Sequence, residues 1–174
     1  MSSFIAKYSE SADKQAEHIS AAIEYLRQGR NAEAYLILSG PETEKKSEKD
    51  PAARFATGLC HFRAGELSVA ISCFEQALNM VRAMSPGKGI VSPSQPAAEN
   101  SETYIRLATD QIVNKIYLTP MDSRLCTDFP KAAEYNVILA LIDAYQQNGM
   151  IEQARRLSSA LTGPIFEAFK RKLL

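Results

Sequence analysis

The chain lacks most of the features that would assign it a chemistry. No apolar run approaches the roughly 20 residues that a membrane span requires. The longest notable one runs from Val137 to Ile142. The opening Met1-Ser2-Ser3-Phe4-Ile5-Ala6-Lys7 has no basic region followed by a long apolar core, so no secretory signal is expected. Neither sign of charge prevails: Lys plus Arg and Asp plus Glu both total 20. That balance argues against a general attraction to nucleic acid or to an anionic membrane. Histidine is scarce, at His18 and His61, and there are three cysteines, Cys60, Cys73 and Cys126. The odd count without a tight pair, together with the missing signal, favours a reducing cytoplasm. Cys60, His61 and Cys73 lack zinc-site spacing, and no fourth ligand suggests itself. Cys60 and Cys73 fall on expected packing faces and read as small core residues. Cys126 lies in a loop-like stretch and is the candidate for exposure. Gly87-Lys88-Gly89 is no phosphate loop, because the full glycine spacing, the following hydroxyl residue and the preceding strand are all missing. No catalytic constellation and no cofactor motif emerges. The expectation is a protein that is not an enzyme and holds no metal.

What is present is helical periodicity. The length, 174 residues, suits one domain over 1–174 that buries roughly 70% of its unfolded surface. From Ala52 to Met84 the pattern is clearest. Phe55, Ala56, Leu59, Cys60 and Phe62 recur at spacings of three and four, and so do Leu67, Ala70, Ile71, Phe74, Ala77 and Leu78. Gly65 stands between the two stretches and can take the left-handed conformation that ends a helix. Gly58 gives up helix propensity, and close approach of the partner helix is the compensation expected there.

The same spacing recurs. Gly58, Ala70 and Phe74 stand seven before, five after and nine after Gly65; Ala22, Ala34 and Leu38 stand likewise around Gly29. The two glycines are 36 residues apart. The first helix is expected to start near Ala12 under a Ser9 or Ser11 cap, and Asn31 is expected to cap the second. Pro41 shortens that second helix, and Pro41 to Asp50 is charged enough to read as a solvated loop. Around Gly149 the echo is weaker. Ile142, Tyr145 and Ala154 fit, whereas Ser158 and Leu161 depart from the pattern. Gly149 lies 84 residues after Gly65, which exposes an insertion. Within it, 85–100 carries Pro86, Pro93 and Pro96 and reads as a flexible loop. A helix is expected over 101–117, ended by Thr119-Pro120, and Pro120 to Pro130 reads as irregular.

This set of offsets resembles the tetratricopeptide repeat family, in which paired antiparallel helices repeat about every 34 residues. The resemblance implies an all-α fold: a tetratricopeptide-like array of antiparallel helical hairpins, a short α-solenoid of about three repeats with an inserted flexible loop. A last helix from Gly163-Pro164, with Phe166 and Phe169 inward, would cap the open end.

It also implies a binding function. In the family, first helices of successive pairs line a concave groove that holds a protein segment. Carried over by spacing, the groove positions are Ile19, Ile23, Leu26 and Arg27, then Phe55, Leu59, Phe62 and Arg63, then Leu139, Asp143, Gln146 and Gln147. Such a surface suits an apolar segment with arginine at one margin. The lysine and asparagine clamp that holds acidic chaperone tails is not matched at Ile19, Ile23, Ala56, Asn136 and Ala140. The alternative for the same positions is plain core, buried by the N-terminal or inserted helix. The implied partner is a protein or peptide, not nucleic acid or membrane, and the implied role is adaptor or chaperone-like. The competing role is a structural subunit of a homo-oligomer or larger complex with the groove self-filled.

Overall fold

The computed structural model describes residues 16–41, 43, 49–84, 112–159 and 161. Regular structure among them is helical throughout. In chain order the helices are α1 (16–27), α2 (Asn31–Leu38), α3 (Pro51–Arg63), α4 (Leu67–Met84), α5 (Ser123–Asp128), α6 (Pro130–Gln147) and α7 (Ile151–Ser159). One 3₁₀ turn covers Ile116–Leu118. None of these helices is long and apolar enough to cross a membrane. The expected Ser9 or Ser11 cap, the 85–100 loop, the 101–111 part of the inserted helix and the last helix with Phe166 and Phe169 lie outside the described residues.

Three helical hairpins close in the same way. Gly29, Gly65 and Gly149 take φ of 77°, 81° and 75°, a region that side chains avoid. At each, the next residue's N–H reaches back five positions: Arg30 to the Tyr25 carbonyl, Glu66 to His61, Met150 to Tyr145, at 2.8, 2.9 and 2.8 Å. This is the double-bonded helix stop that satisfies orphan carbonyls. The carbonyl of the residue after each glycine then accepts the first bond of the second helix, from Ala34, Ala70 or Ala154. All three alanines are buried. The one-to-one recurrence follows from the shared offsets.

One predicted cap differs, and one cap falls where a loop is expected. Asn31 does not cap α2: Arg30 is the cap residue and makes no side-chain cap bond. Asp50, placed in a solvated loop by its charged neighbours, is the N-cap of α3, and its Oδ1 accepts from the Ala52 N–H at 2.9 Å. Pro51 follows it at the first helical position, where its missing N–H has no partner to lose. The solvated loop expected over Pro41 to Asp50 is overturned at Pro41 and Thr43, which are helical, and Thr43 is buried.

Packing is sequential. α2 lies on α3, α3 on α4, α4 on α6 and α6 on α7, while α5 rests on both α3 and α6. α3 has two apolar faces. Ala53, Ala56 and Cys60 join Ile19, Ala22, Ile23 and Leu26 of α1. Ala52, Phe55 and Leu59 join the larger core with α4 and α6. Small residues on the first face let the hairpins approach. α6 is buried all round, with every residue from Val137 to Tyr145 buried, as expected of a helix that is apolar on all sides.

Candidate partner-binding face

The first helices α1, α3 and α6 supply the positions expected to line a groove. The structure places most of the apolar ones in the core. Ile19, Ile23 and Leu26 are buried in the α1–α3 cluster. Phe55, Leu59 and Leu139 are buried in the larger core. Phe55 meets the Phe74 ring at 5.2 Å between centroids, and half-buried Phe62 meets it at 6.3 Å. For these residues the core alternative holds. Of the polar positions, Arg27 is exposed beside Glu24 at 3.7 Å, and Gln146 is half-buried. Arg63, Asp143 and Gln147 are brought together with the chain's own inserted segment.

That segment, 112–128, lies across α3 and α6. Its helical start ends at Val113, because Lys115 turns into the left-handed region at φ 55°. The expected helix through Tyr117 therefore stops early. Thr119 and Asp122 are extended, with ψ of 143° and 165°. The path is tied at both ends of α3. At the C-terminal end, Arg63 Nη2 donates to the Leu118 carbonyl at 3.3 Å. At the N-terminal end, Ser123 Oγ donates to the second oxygen of the Asp50 cap at 2.7 Å. Four residues, Thr119 to Asp122, join the two ties, and the order of the ties, Leu118 at the C-terminal end and Ser123 at the N-terminal end, sets the segment antiparallel to α3.

On α6, one carboxylate holds the segment. Asp143 Oδ2 accepts from Lys115 Nζ at 2.9 Å and from the Tyr117 hydroxyl at 3.1 Å, and Oδ1 accepts from Gln147 at 3.0 Å. Along the segment, Tyr117, Met121 and Cys126 are buried in the main core. Cys126, the candidate for exposure, is fully buried in α5, a helix formed where the sequence reads as irregular. Asp122 caps that helix through the Leu125 N–H at 2.8 Å. Lys115, Tyr117, Ser123 and Asp50 were not singled out from the sequence. The Asp50-Pro51 pair is a legible helix start; Lys115 and Tyr117 fall at the end of the helix expected over 101–117, and Ser123 falls in the stretch that reads as irregular.

Arg63 joins three parts of the chain. Besides Leu118, its Nη1 donates to the Leu26 carbonyl at 2.9 Å and to Asn31 Oδ1 at 2.8 Å. One planar fork thus serves the end of α1, the start of α2 and the segment. Replacing Arg63 by lysine is expected to lower stability nearly as much as alanine, by about 1–3 kcal/mol. An ammonium cannot span three acceptors set around a fork. Equilibrium urea denaturation of the two variants checks this, and full rescue by lysine would show that charge alone matters.

The thiols offer no nucleophile at neutral pH. Burial pushes Cys60 up to about 11, and burial, with Asp50 and Asp122 nearby, pushes Cys126 up to about 12. Cys73 is raised by burial too. The Tyr117 and Tyr145 hydroxyls are raised by burial and by the carboxylates to which they donate, Asp143 and Glu75. A group with a raised folded-state pKa stabilises fully below its unfolded value and loses that contribution as pH rises. Stability is therefore expected to fall as pH rises above about 8.5, the unfolded thiol value. Urea midpoints at neutral and alkaline pH test this, and an unchanged midpoint would contradict it. His61 lies edge-on to Tyr35 at 5.2 Å and is hydrogen-bonded to Glu66, a tie between α2 and α3. Among the described residues no group of three or more His, Cys, Asp or Glu could hold a metal ion.

A cleft of about 580 Å³ remains between α1 and the start of α5, lined by Ile19, Ile23, Arg27, Asp50 and Arg124 among others. Comparison with known proteins returns nothing: no family model, no curated protein and no solved structure matches this chain.

Proposed function

We propose that this chain is a protein-interaction module of tetratricopeptide-like build, a short stack of about three hairpins whose first-helix face holds an extended protein segment. One observation carries the reading. The stretch 115–123 crosses α3 and α6 as a 3₁₀ turn followed by the irregular residues 119–122, and is held by side chains of Arg63, Asp143 and Asp50. The identical closures at Gly29, Gly65 and Gly149 support the repeat build. Buried, neutral thiols fit a reducing compartment such as the cytoplasm, and nothing in the reading requires a catalytic group or a cofactor.

The test is affinity capture from the native source with the wild-type chain and with Lys115→Ala/Tyr117→Ala, which loosens the inserted segment. Saturable enrichment of a protein by either chain supports the reading, and enrichment by neither overturns it. A second reading is favoured by the occupancy of the face itself. A face filled by its own chain suits a structural subunit of a homo-oligomer or larger complex. Light scattering across a concentration series separates the two: a monomer at all concentrations counts against the homo-oligomer.

A further inference from the structure

Resting on that reading, we infer that residues 112–128 are a self-ligand. They stand in for a partner segment of the same chemistry, which gains the face by exchange with them. The partner is a polypeptide segment that runs antiparallel to α3. It carries a cation two residues before an aromatic hydroxyl, and a hydroxyl six residues beyond the aromatic.

The segment behaves as a bound peptide does. Among the described residues its backbone hydrogen bonds stay local: Lys115 to Ile112, Leu118 to Lys115, Thr119 to Ile116 and Phe129 to Leu125. It meets the helices through side chains and one carbonyl. The ties alternate in sign along the face: Asp143 takes the Lys115 cation, Arg63 takes the Leu118 carbonyl and Asp50 takes the Ser123 hydroxyl. The order of these groups fixes direction, and the spacing fixes register. The occupant also carries strain, because Lys115 holds a left-handed backbone without being glycine. A replacement with an unstrained residue at that turn starts with an advantage.

Asp143 sets what a replacement must bring. Its side chain is only 9% exposed with Lys115 and Tyr117 in place, and their release would take away its cation and its hydroxyl donor. An incoming segment that supplies both groups restores these ties. In the intact chain the tethered segment competes at an effective concentration in the millimolar range. A partner must match its ties to displace it.

The probe is a fluorescent peptide with the sequence of residues 112–128, titrated into full-length chains. Lys115→Ala/Tyr117→Ala is expected to bind it at least 10-fold more tightly than the wild type does, and adding Asp143→Ala is expected to abolish the gain. A folded double variant that binds no more tightly than the wild type, or binding indifferent to Asp143→Ala, overturns the inference. If the double variant does not fold, Tyr117→Phe replaces it, with a gain of at least threefold expected and no gain counting against. A folded variant that ignores the peptide while the wild-type chain still enriches a partner removes this inference and leaves the interaction module standing. Peptide binding without any enriched partner supports the self-ligand and overturns the module.

Discussion

Truncating Phe74 to alanine is expected to destabilise the chain by about 3–5 kcal/mol, the range for an aromatic removed from a packed core. Phe74 is fully buried, with Phe55 and Phe62 against its ring. The more informative result is in the double variant. A Cβ at Gly58 would stand 2.6 Å from two Phe74 ring carbons and 3.2 Å from the Cys73 Cβ. Gly58→Ala therefore overpacks a rigid site, which costs about 1–3 kcal/mol, against about 1 kcal/mol of improved helix propensity. Destabilisation wins in the wild type. With Phe74→Ala in place the 2.6 Å clash is gone, and the 3.2 Å approach to the Cys73 Cβ needs a shift of only a few tenths of an ångström into the space left, so propensity prevails and Gly58→Ala should become stabilising. The sign change amounts to a coupling of more than about 1 kcal/mol. Urea midpoints of the four chains measure it. Equal effects of Gly58→Ala in both backgrounds would remove packing as the reason for the glycine.

The pair illustrates what was legible in the sequence. Seven before and nine after each turn glycine stand Ala22 and Leu38, Gly58 and Phe74, Ile142 and Ser158. Size rises on one side as it falls on the other. Where Phe74 is large, its facing position can hold no side chain. The departure at Ser158, which weakens the third echo in sequence, coincides with a large Ile142. All-helical content, the three turns and the three buried alanines followed from period and glycine placement, because those signals are local.

The nature of the face was not legible, for a physical reason. Periodicity shows which side of a helix is apolar but not what covers it. In α3 the residues Phe55, Leu59, Ala56 and Cys60 read as one broad stripe, yet Phe55 and Leu59 turn to α4 and α6 while Ala56 and Cys60 turn to α1. The cover over α3 and α6 is 112–128, whose buried Tyr117, Met121 and Cys126 follow neither a helical nor a strand period. Asn31 shows the same limit at a single residue. Its type suits a helix cap, but its Oδ1 serves Arg63 from 32 positions away, a contact no local pattern encodes.

Removing the Asp143 carboxylate by Asp143→Ala is expected to cost about 2–4 kcal/mol. Three donors converge on it, from Lys115, Tyr117 and Gln147. They lose unequally. The Lys115 side chain is 53% exposed and its ammonium returns to water. Tyr117 is buried, so its hydroxyl is left without an acceptor, and that orphan supplies most of the penalty. Asp143→Asn keeps an oxygen for the hydroxyl but gives up the charge, so it should fall between the wild type and alanine. Hydrogen exchange then reports where the loss is felt. If 112–128 is an occupant held by side chains, its amides from Lys115 to Leu118 and through α5 should exchange faster in Asp143→Ala. The turn amides of Arg30 and Glu66, which close the first two hairpins, should keep their protection. A uniform loss across the described helices would mean that the segment is one cooperative unit with the hairpins, and a unit that cannot open alone cannot be exchanged for a partner.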